Sequence, residues 1–414
     1  MCGIAGFCGP VGAAAETLDA RADRMAEAIR HRGPDGSGTW SDPALGCALG
    51  HRRLAILDPS PAGAQPMTSA SGRYVVTYNG EIYNFPELRD RLAGGGHGFR
   101  GTGDTEVLLA AVEAWGVTGA LDRLVGMFAF ALLDRRRRAL HLVRDRAGEK
   151  PLYVGRQGRT LLFGSELAAL RAHPAFDGAL DREAVAGLLR TGCVAAPRSI
   201  HAGIAKLPPG GHLTVALDRP IPDTRELVAA VRRYWTPAAA ATAGPAPDRS
   251  EALRLVEARL DDAVRGAMLS DVPLGAFLSG GLDSSTVVAR MQALSARPVK
   301  TFTVGFDSAA LDESDAARAV ARHLGTDHTD LQVTGADARA VVPELPRIYD
   351  EPFADASQIP TALISRLARE QVTVALTGDG GDEVFGGYTR HLLARALTRR
   401  IAAVPPALRR PAAA

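Results

Sequence analysis

The sequence predicts an α/β protein of two domains, a sheet-rich one followed by a doubly wound parallel sheet. Three observations carry that reading. The chain has 414 residues, more than one core serves at roughly 100–200 residues per domain. Its first half has the texture of strands and turns, whereas its second half alternates strand with helix. Between them "TPAAAATAGPAPDRS", rich in alanine, proline and small polar residues, reads as a linker over 236–250.

In the first half, helical periodicity marks "AETLDARADRMAEAIRHR" and "DTEVLLAAVEAWG", which read as helices packed on sheets. The run "YVVTYNGEIYN" is β-rich and broken at Asn79-Gly80, a dipeptide typical of a hairpin turn. "MFAFALLD" and "ALHLVRD" flank the block Arg135 to Arg138. Four arginines invite a nucleic-acid reading, but no aromatic residues interleave them as on a single-strand binding surface. A solvated hairpin turn between two strands is the better account.

In the second half, Ser250 opens the helical pattern "EALRLVEARLDDAVRGAML" as a cap. Strand-like "PLGAFLSG", "VKTFTVGF", "HTDLQV" and "VTVALTG" then alternate with helical "STVVARMQALSA", "ESDAARAVARHLG" and "IPTALISRLAREQ". Such alternation implies a parallel sheet covered on both faces.

Composition bounds the partners. Apolar residues make up 46% and charged residues 23%, and the net charge is +2, which argues against a nucleic-acid polyanion. No apolar run approaches the roughly 18–20 residues that cross a bilayer. The four cysteines, Cys2, Cys8, Cys47 and Cys193, have no zinc spacing, so reduced thiols in a cytoplasmic protein are expected. Lysine occurs only at Lys150, Lys206 and Lys300.

Two stretches carry chemistry. Cys2 follows Met1 directly; trimming the methionine leaves a thiol and a free α-amine on one residue, a nucleophile with its own base. A buried structural cysteine or a lipid-modified one would be the alternatives, and lipidation wants a charged and apolar stretch before the cysteine. In "FLSGGLDSS" an apolar run ends at Ser279, two glycines free the backbone, and Ser284 opens a helix. Backbone N–H groups and the helix dipole converge there on an anion such as a phosphate. Asp283, with Asp382 of "TGDGGDE", offers carboxylates for a shared Mg²⁺. Asp382 and Glu383 also suit a helix start, where carboxylates oppose the dipole.

Over these residues the chain resembles the glutamine-hydrolysing asparagine synthetase family. The matching stretches are "MCGIAG", "HRGPDGSG", "HRRLAILD", "GAQPM", "YNGEIYN", "GDTEVLL", "GMFAFALLD", "RDRAGEKPLY" and "FGSELAAL", then "VPLGAFLSGGLDSS", "TFTVGF", "DEPFADASQIPT" and "TGDGGDEVFGGY". The resemblance implies a class II glutamine amidotransferase domain over 2–215, an αββα sandwich of N-terminal-nucleophile hydrolase type. An ATP-binding synthetase domain of PP-loop pyrophosphatase type follows over 251–414. In such proteins Cys2 attacks glutamine, while the Asn79 side chain and the Gly80 N–H hold the oxyanion. Arg53 would clamp the glutamine α-carboxylate, and Glu81 and Asp104 would receive its α-ammonium. ATP would lie against Leu278, Ser279, Gly280, Gly281, Asp283 and Ser284, with Val304 near the adenine and Thr377-Gly378 close by. Asp379 stands where the family has an acidic residue linked to adenylate formation.

The implied reaction joins ammonia from glutamine to an ATP-activated aspartate, giving asparagine, AMP and pyrophosphate, with a homodimer as the family's common form. Family members continue beyond "FGGY" into a helical region that contributes a lysine, whereas this sequence ends at Ala414 with no lysine after Lys300. Two further readings stay open: amidation of another carboxylate, or a glutaminase or regulatory protein with an incomplete synthetase half.

Overall fold

The computed structural model describes residues 1–241, 247–307 and 312–405. The chain forms two compact units. The first comprises Met1–Glu257, Leu269–Val272 and Ala340–Ile359; the second comprises Ala258–Met268, Pro273–Arg339 and the chain from Pro360 onward. Of the linker expected over 236–250, Pro237–Ala241 is helical and 242–246 lie outside the described residues.

Among the described residues the first unit is built on twelve strands: β1 (Gly3–Cys8), β2 (Gly36–Asp42), β3 (Cys47–Arg53), β4 (Met67–Thr68), β5 (Tyr74–Ile82), β6 (Gly126–Asp134), β7 (Ala139–Arg144), β8 (Tyr153–Gln157), β9 (Thr160–Gly164), β10 (Ala205–Lys206), β11 (Gly211–Ala216) and β12 (Arg232–Arg233). One sheet has the order β10-β8-β9-β1-β3-β2 and the other β12-β11-β7-β6-β5-β4, with antiparallel pairing throughout. Three apolar layers explain the stacking. Ile4, Leu49, Val75, Leu133 and Phe163 fill the space between the sheets. Val76, Tyr78 and Phe130 pack the outer face of the second sheet onto α2 (Phe85–Gly94) and α3 (Asp104–Leu121) through Leu88, Val107 and Leu108. Phe7 and Leu162 pack the first sheet onto α1 (Ala15–Glu27) and α4 (Leu167–Arg171) through Leu18, Met25 and Leu170. The result is the expected αββα sandwich.

Both predicted helices form, the second kinked at Gly116, and the arginine block is the turn between β6 and β7. Two expectations are corrected. The run over 74–84 does not break at Asn79-Gly80: β5 passes straight through both residues, paired with Ala129 and Phe128 of β6. Long-range pairing with buried aromatic and β-branched neighbours outweighs the local turn preference. The four cysteines are not all free thiols either. Cys8 and Cys47 face each other across β1 and β3 and form a disulfide, because directly opposite residues on antiparallel neighbours bring their Cβ atoms together.

The second unit holds β13 (Leu274–Phe277), β14 (Lys300–Phe306), β15 (Asp327–Val333) and β16 (Val374–Leu376), all parallel, in the order β15-β14-β13-β16. The helices Leu282–Leu294, Ser314–Leu324 and Gln358–Arg369 alternate with the strands, as expected for a doubly wound sheet. The chain reverses its winding between β13 and β16, the place where such sheets bind ligands. Helix Arg249–Ala267 forms as predicted, but Asp248 caps it, accepting from the Glu251 N–H at 2.9 Å. Ser250 instead donates to Asp248. Among the described residues no helix is long and apolar enough to cross a membrane.

Candidate active site

The alternation of β5 builds the first site. Its odd residues Val75, Thr77, Asn79 and Glu81 share one face. Val75 belongs to the apolar layer between the sheets, and Thr77 spans that layer to the Gly50 carbonyl at 3.1 Å. Along this face the layer turns from apolar to polar. Cys2, Arg53, Asn79, Gly80, Glu81, Asp104 and Lys150 line a single cavity there. All six residues expected for glutamine hydrolysis are thus brought together, and Lys150 joins them.

Hydrogen bonding around Gly80 shows which donors are spare. Phe128, opposite Gly80, has both backbone groups engaged with Asp145: the Phe128 carbonyl accepts at 2.7 Å and its N–H donates at 3.2 Å. The Gly80 N–H therefore points away from β6. Along that edge the Tyr78 N–H donates to Gln65 at 2.7 Å and the Ile82 N–H to Asp104 at 2.9 Å. The Gly80 N–H lies between these two engaged groups, left for the cavity. Only glycine fits there, since a Cβ would fall 2.2 Å from the Met127 carbonyl oxygen. Beside it the Asn79 side-chain Nδ2 is buried with no partner among the described residues, a costly state that a ligand oxygen would relieve.

The Cys2 Sγ lies 3.4 Å from the Leu54 N–H and 3.5 Å from the Leu54 carbonyl. Burial pushes its pKa up, opposed by the Leu54 hydrogen bond, so the thiol needs a base. Burial, with Arg32 and Lys150 nearby, lowers the α-amine of Met1 to about 5, so an amine in this environment is unprotonated at neutral pH, its lone pair free to act as a base. Arg32 Nε donates to the Cys2 carbonyl at 3.0 Å, and Arg32 Nη1 donates to Glu166 at 2.7 Å.

The expected substrate clamps are only partly free. Arg53 donates to the backbone carbonyls of Ser60, at 2.9 Å, and Asp58, so it shapes the rim loop as well as facing the cavity. Asp104 accepts from the Tyr78 hydroxyl at 2.7 Å, and burial raises its pKa. Burial also raises Glu81 to about 7, with Lys150 opposing. Lys150, 5% exposed, lies in the matching stretch "RDRAGEKPLY" but has no role assigned from sequence. Its position follows from Asp145, which is fully buried and accepts the N–H groups of Gly148, Glu149 and Lys150.

In the second unit the stretch after β13 folds as a glycine turn that leads into a helix N-terminus. The Ser284 hydroxyl accepts from the Ser279 N–H at 3.2 Å, and the Gly281 N–H donates to the Ser279 hydroxyl at 3.2 Å. Gly280 takes a φ of +78°, a conformation natural to glycine. Gly281 heads helix Leu282–Leu294 without any side-chain cap. Leu278 is buried and donates its N–H to the Phe302 carbonyl of β14 at 2.9 Å, the strand that also carries Val304.

The loop after β16 closes against this turn. A Cβ at Gly381 would fall 2.6 Å from the Asp283 carboxyl, and one at Gly378 would fall 2.7 Å from the Ser284 nitrogen. Thr377 donates to the exposed Asp379 at 3.1 Å. Asp283 opens helix Leu282–Leu294 and Asp382 opens the short helix Gly381–Phe385, where the Asp382 carboxylate lies beside Gly387. Among the described residues no three His, Cys, Asp or Glu side chains gather as a protein-only metal site. Glu383 is engaged by the Tyr388 hydroxyl at 2.6 Å.

The comparisons agree with this geometry. A family model described as "Glutamine amidotransferase domain" matches residues 1–225, and one described as "Asparagine synthase" matches residues 255–414. A Mycobacterium tuberculosis relative is 38% identical over 94% of this chain and 60% of its own. Asparagine synthetase [glutamine-hydrolyzing] 1 of Bacillus subtilis is 35% identical over 88% of this chain and 55% of its own. Asparagine synthetase B of Escherichia coli is 34% identical over 94% and 65%. The chain therefore spans about 60% of the length of the first of these relatives. With both family models on their expected halves and the site residues gathered as described, the chain belongs to the glutamine-hydrolysing asparagine synthetase family.

Proposed function

We propose that the chain hydrolyses glutamine at Cys2 and passes the ammonia to a carboxylate activated by ATP, with aspartate as the acceptor and asparagine, AMP and pyrophosphate as products. The observation that carries the reading is the pair of spare donors, Asn79 Nδ2 and the Gly80 N–H, in the cavity that Cys2 lines. After removal of Met1, the Cys2 α-amine takes the thiol proton and the thiolate attacks the glutamine γ-carboxamide carbon. The carbonyl electron pair moves onto oxygen, where the two donors stabilise it. Collapse expels the amide nitrogen, which takes the proton held by the amine and leaves as ammonia. Water then cleaves the thioester, giving glutamate and restoring the thiol.

Arg53 would orient the substrate through its α-carboxylate, with Glu81 and Asp104 facing the α-ammonium. In the second unit the Ser279–Ser284 cradle would hold phosphates through backbone N–H groups, with Asp283 and Asp382 on the metal. Bound Mg²⁺ would supply charge neutralisation on those phosphates. A cytoplasmic location and a homodimer complete the proposal.

The test supplies ATP, Mg²⁺ and aspartate with either glutamine or ammonium, and reads glutamate, AMP and asparagine. AMP and asparagine formed together support the whole reading. Glutamate without AMP would confine the activity of this chain to glutamine hydrolysis, and absence of glutamate would refute the first step.

A further inference from the structure

The stretch "DEPFADAS" has no role in the chemistry above. It lies within the region that the asparagine synthase family model matches, yet Ala340–Ile359 packs as part of the first unit. Two carboxylates account for this. Asp350, its side chain 10% exposed, accepts from the backbone N–H groups of Leu167 and Ala168, the latter at 3.0 Å, and from Arg171 at 2.6 Å. Glu351, its side chain 9% exposed, pairs with Lys206 and accepts from the Ile200 N–H at 2.7 Å. A backbone bond from the Ala354 N–H to the Gly192 carbonyl, at 2.7 Å, extends the attachment.

What Asp350 grips leads to the nucleophile. Glu166 immediately precedes Leu167, and its carboxylate holds Arg32, which in turn donates to the Cys2 carbonyl. Ser165, one residue earlier, exchanges hydrogen bonds with Ile4 of β1: its N–H donates at 2.9 Å and its hydroxyl accepts at 3.0 Å. Residues 165–168 therefore join the strand that begins beside Cys2 to the Asp350 carboxylate. Both carboxylates are nearly buried and satisfied by several donors, so releasing either strands buried N–H groups.

We infer that Asp350 and Glu351 are positioning residues for glutamine hydrolysis, a strap whose attachment holds Glu166 and Arg32 in place behind Cys2. The inference rests on the reading of Cys2 as the nucleophile. It also places in the synthetase-like sequence a determinant of chemistry at the first site. A displacement of about 1 Å in a reacting group is enough to slow a pre-organised reaction severely.

The test uses the full chain with Asp350→Asn, Glu351→Gln, Lys206→Met and Lys206→Arg. Asp355→Asn serves as a control on the same strap, since the Asp355 carboxylate accepts locally, from the Ser357 N–H two residues on. Amide exchange of peptides spanning 165–171 and 199–201 reports attachment, and initial glutamate release reports positioning. Expected are faster exchange and a roughly tenfold lower kcat at unchanged KM for glutamine in the first three variants, with Lys206→Arg and Asp355→Asn like the parent. Parent-like exchange in Asp350→Asn and Glu351→Gln would overturn the attachment. Faster exchange with a parent kcat, or a loss carried by KM alone, would overturn the positioning role. Failure of the underlying reading looks different: the unaltered chain would release no glutamate.

Discussion

The two sites solve opposite problems. Around Cys2 the groups are buried: Asn79 is 1% exposed, and Glu81 and Asp104 are each 5% exposed. The cradle of the second unit is built on loops whose glycines and Asp379 are exposed or half-exposed. On the proposed reading, a tetrahedral oxyanion needs donors fixed in advance where water does not compete, which a site inside the sandwich provides. On the same reading, phosphates would bring their own charge and metal to the second site, and a helix N-terminus suits such anions. The first site is accordingly specified by side chains at fixed registers, the second by backbone shape.

That contrast can be broken or sharpened by experiment. Cys2→Ala should reduce glutamine hydrolysis at least about a thousandfold while leaving ammonium-dependent AMP formation unchanged, read as glutamate and AMP in parallel assays. Asn79→Ala should cost about 10²- to 10³-fold in kcat for glutamate release; a change confined to KM would show that the orphan Nδ2 serves binding alone. Asp283→Asn, at the exposed site, should lower AMP formation about tenfold or more and restore part of it at higher Mg²⁺, with glutamate release untouched. The smallest effect is a titration. Glu81 has a pKa raised to about 7, so it loses charge as the pH falls through that value. If it receives the α-ammonium, the KM for glutamine should rise about tenfold per pH unit below it, and Glu81→Gln should flatten the profile. A KM independent of pH in the parent would remove Glu81 from the substrate contact.

The same division governs what the sequence disclosed. The winding of the second unit, the arginine turn and the glycine turn ahead of helix Leu282–Leu294 follow from local rules of periodicity, turn chemistry and glycine spacing. The interior of the first unit does not. Asn79-Gly80 looks like a turn in isolation and becomes mid-strand only because β6 pairs along its length. Cys8 and Cys47 are 39 residues apart in sequence and meet only through the register of β1 with β3. Lys150 enters the cavity because a buried aspartate folds the preceding loop around itself. The first two depend on pairing between distant segments, which no window of sequence contains, and the third on the burial of Asp145, which the local sequence does not reveal.

The first unit is entered by the chain three times, at Met1–Glu257, Leu269–Val272 and Ala340–Ile359. No single cut in the polypeptide releases it whole. A gene fragment ending anywhere in the linker would encode both sheets yet omit the segment that neutralises Arg171 and Lys206, and a single genetic crossover there would join those cations to a stranger's carboxylates. Exchange of the two halves among relatives is therefore constrained by compatibility at positions 350 and 351, and a chimaera should inherit those two residues from the parent that donates its amidotransferase half.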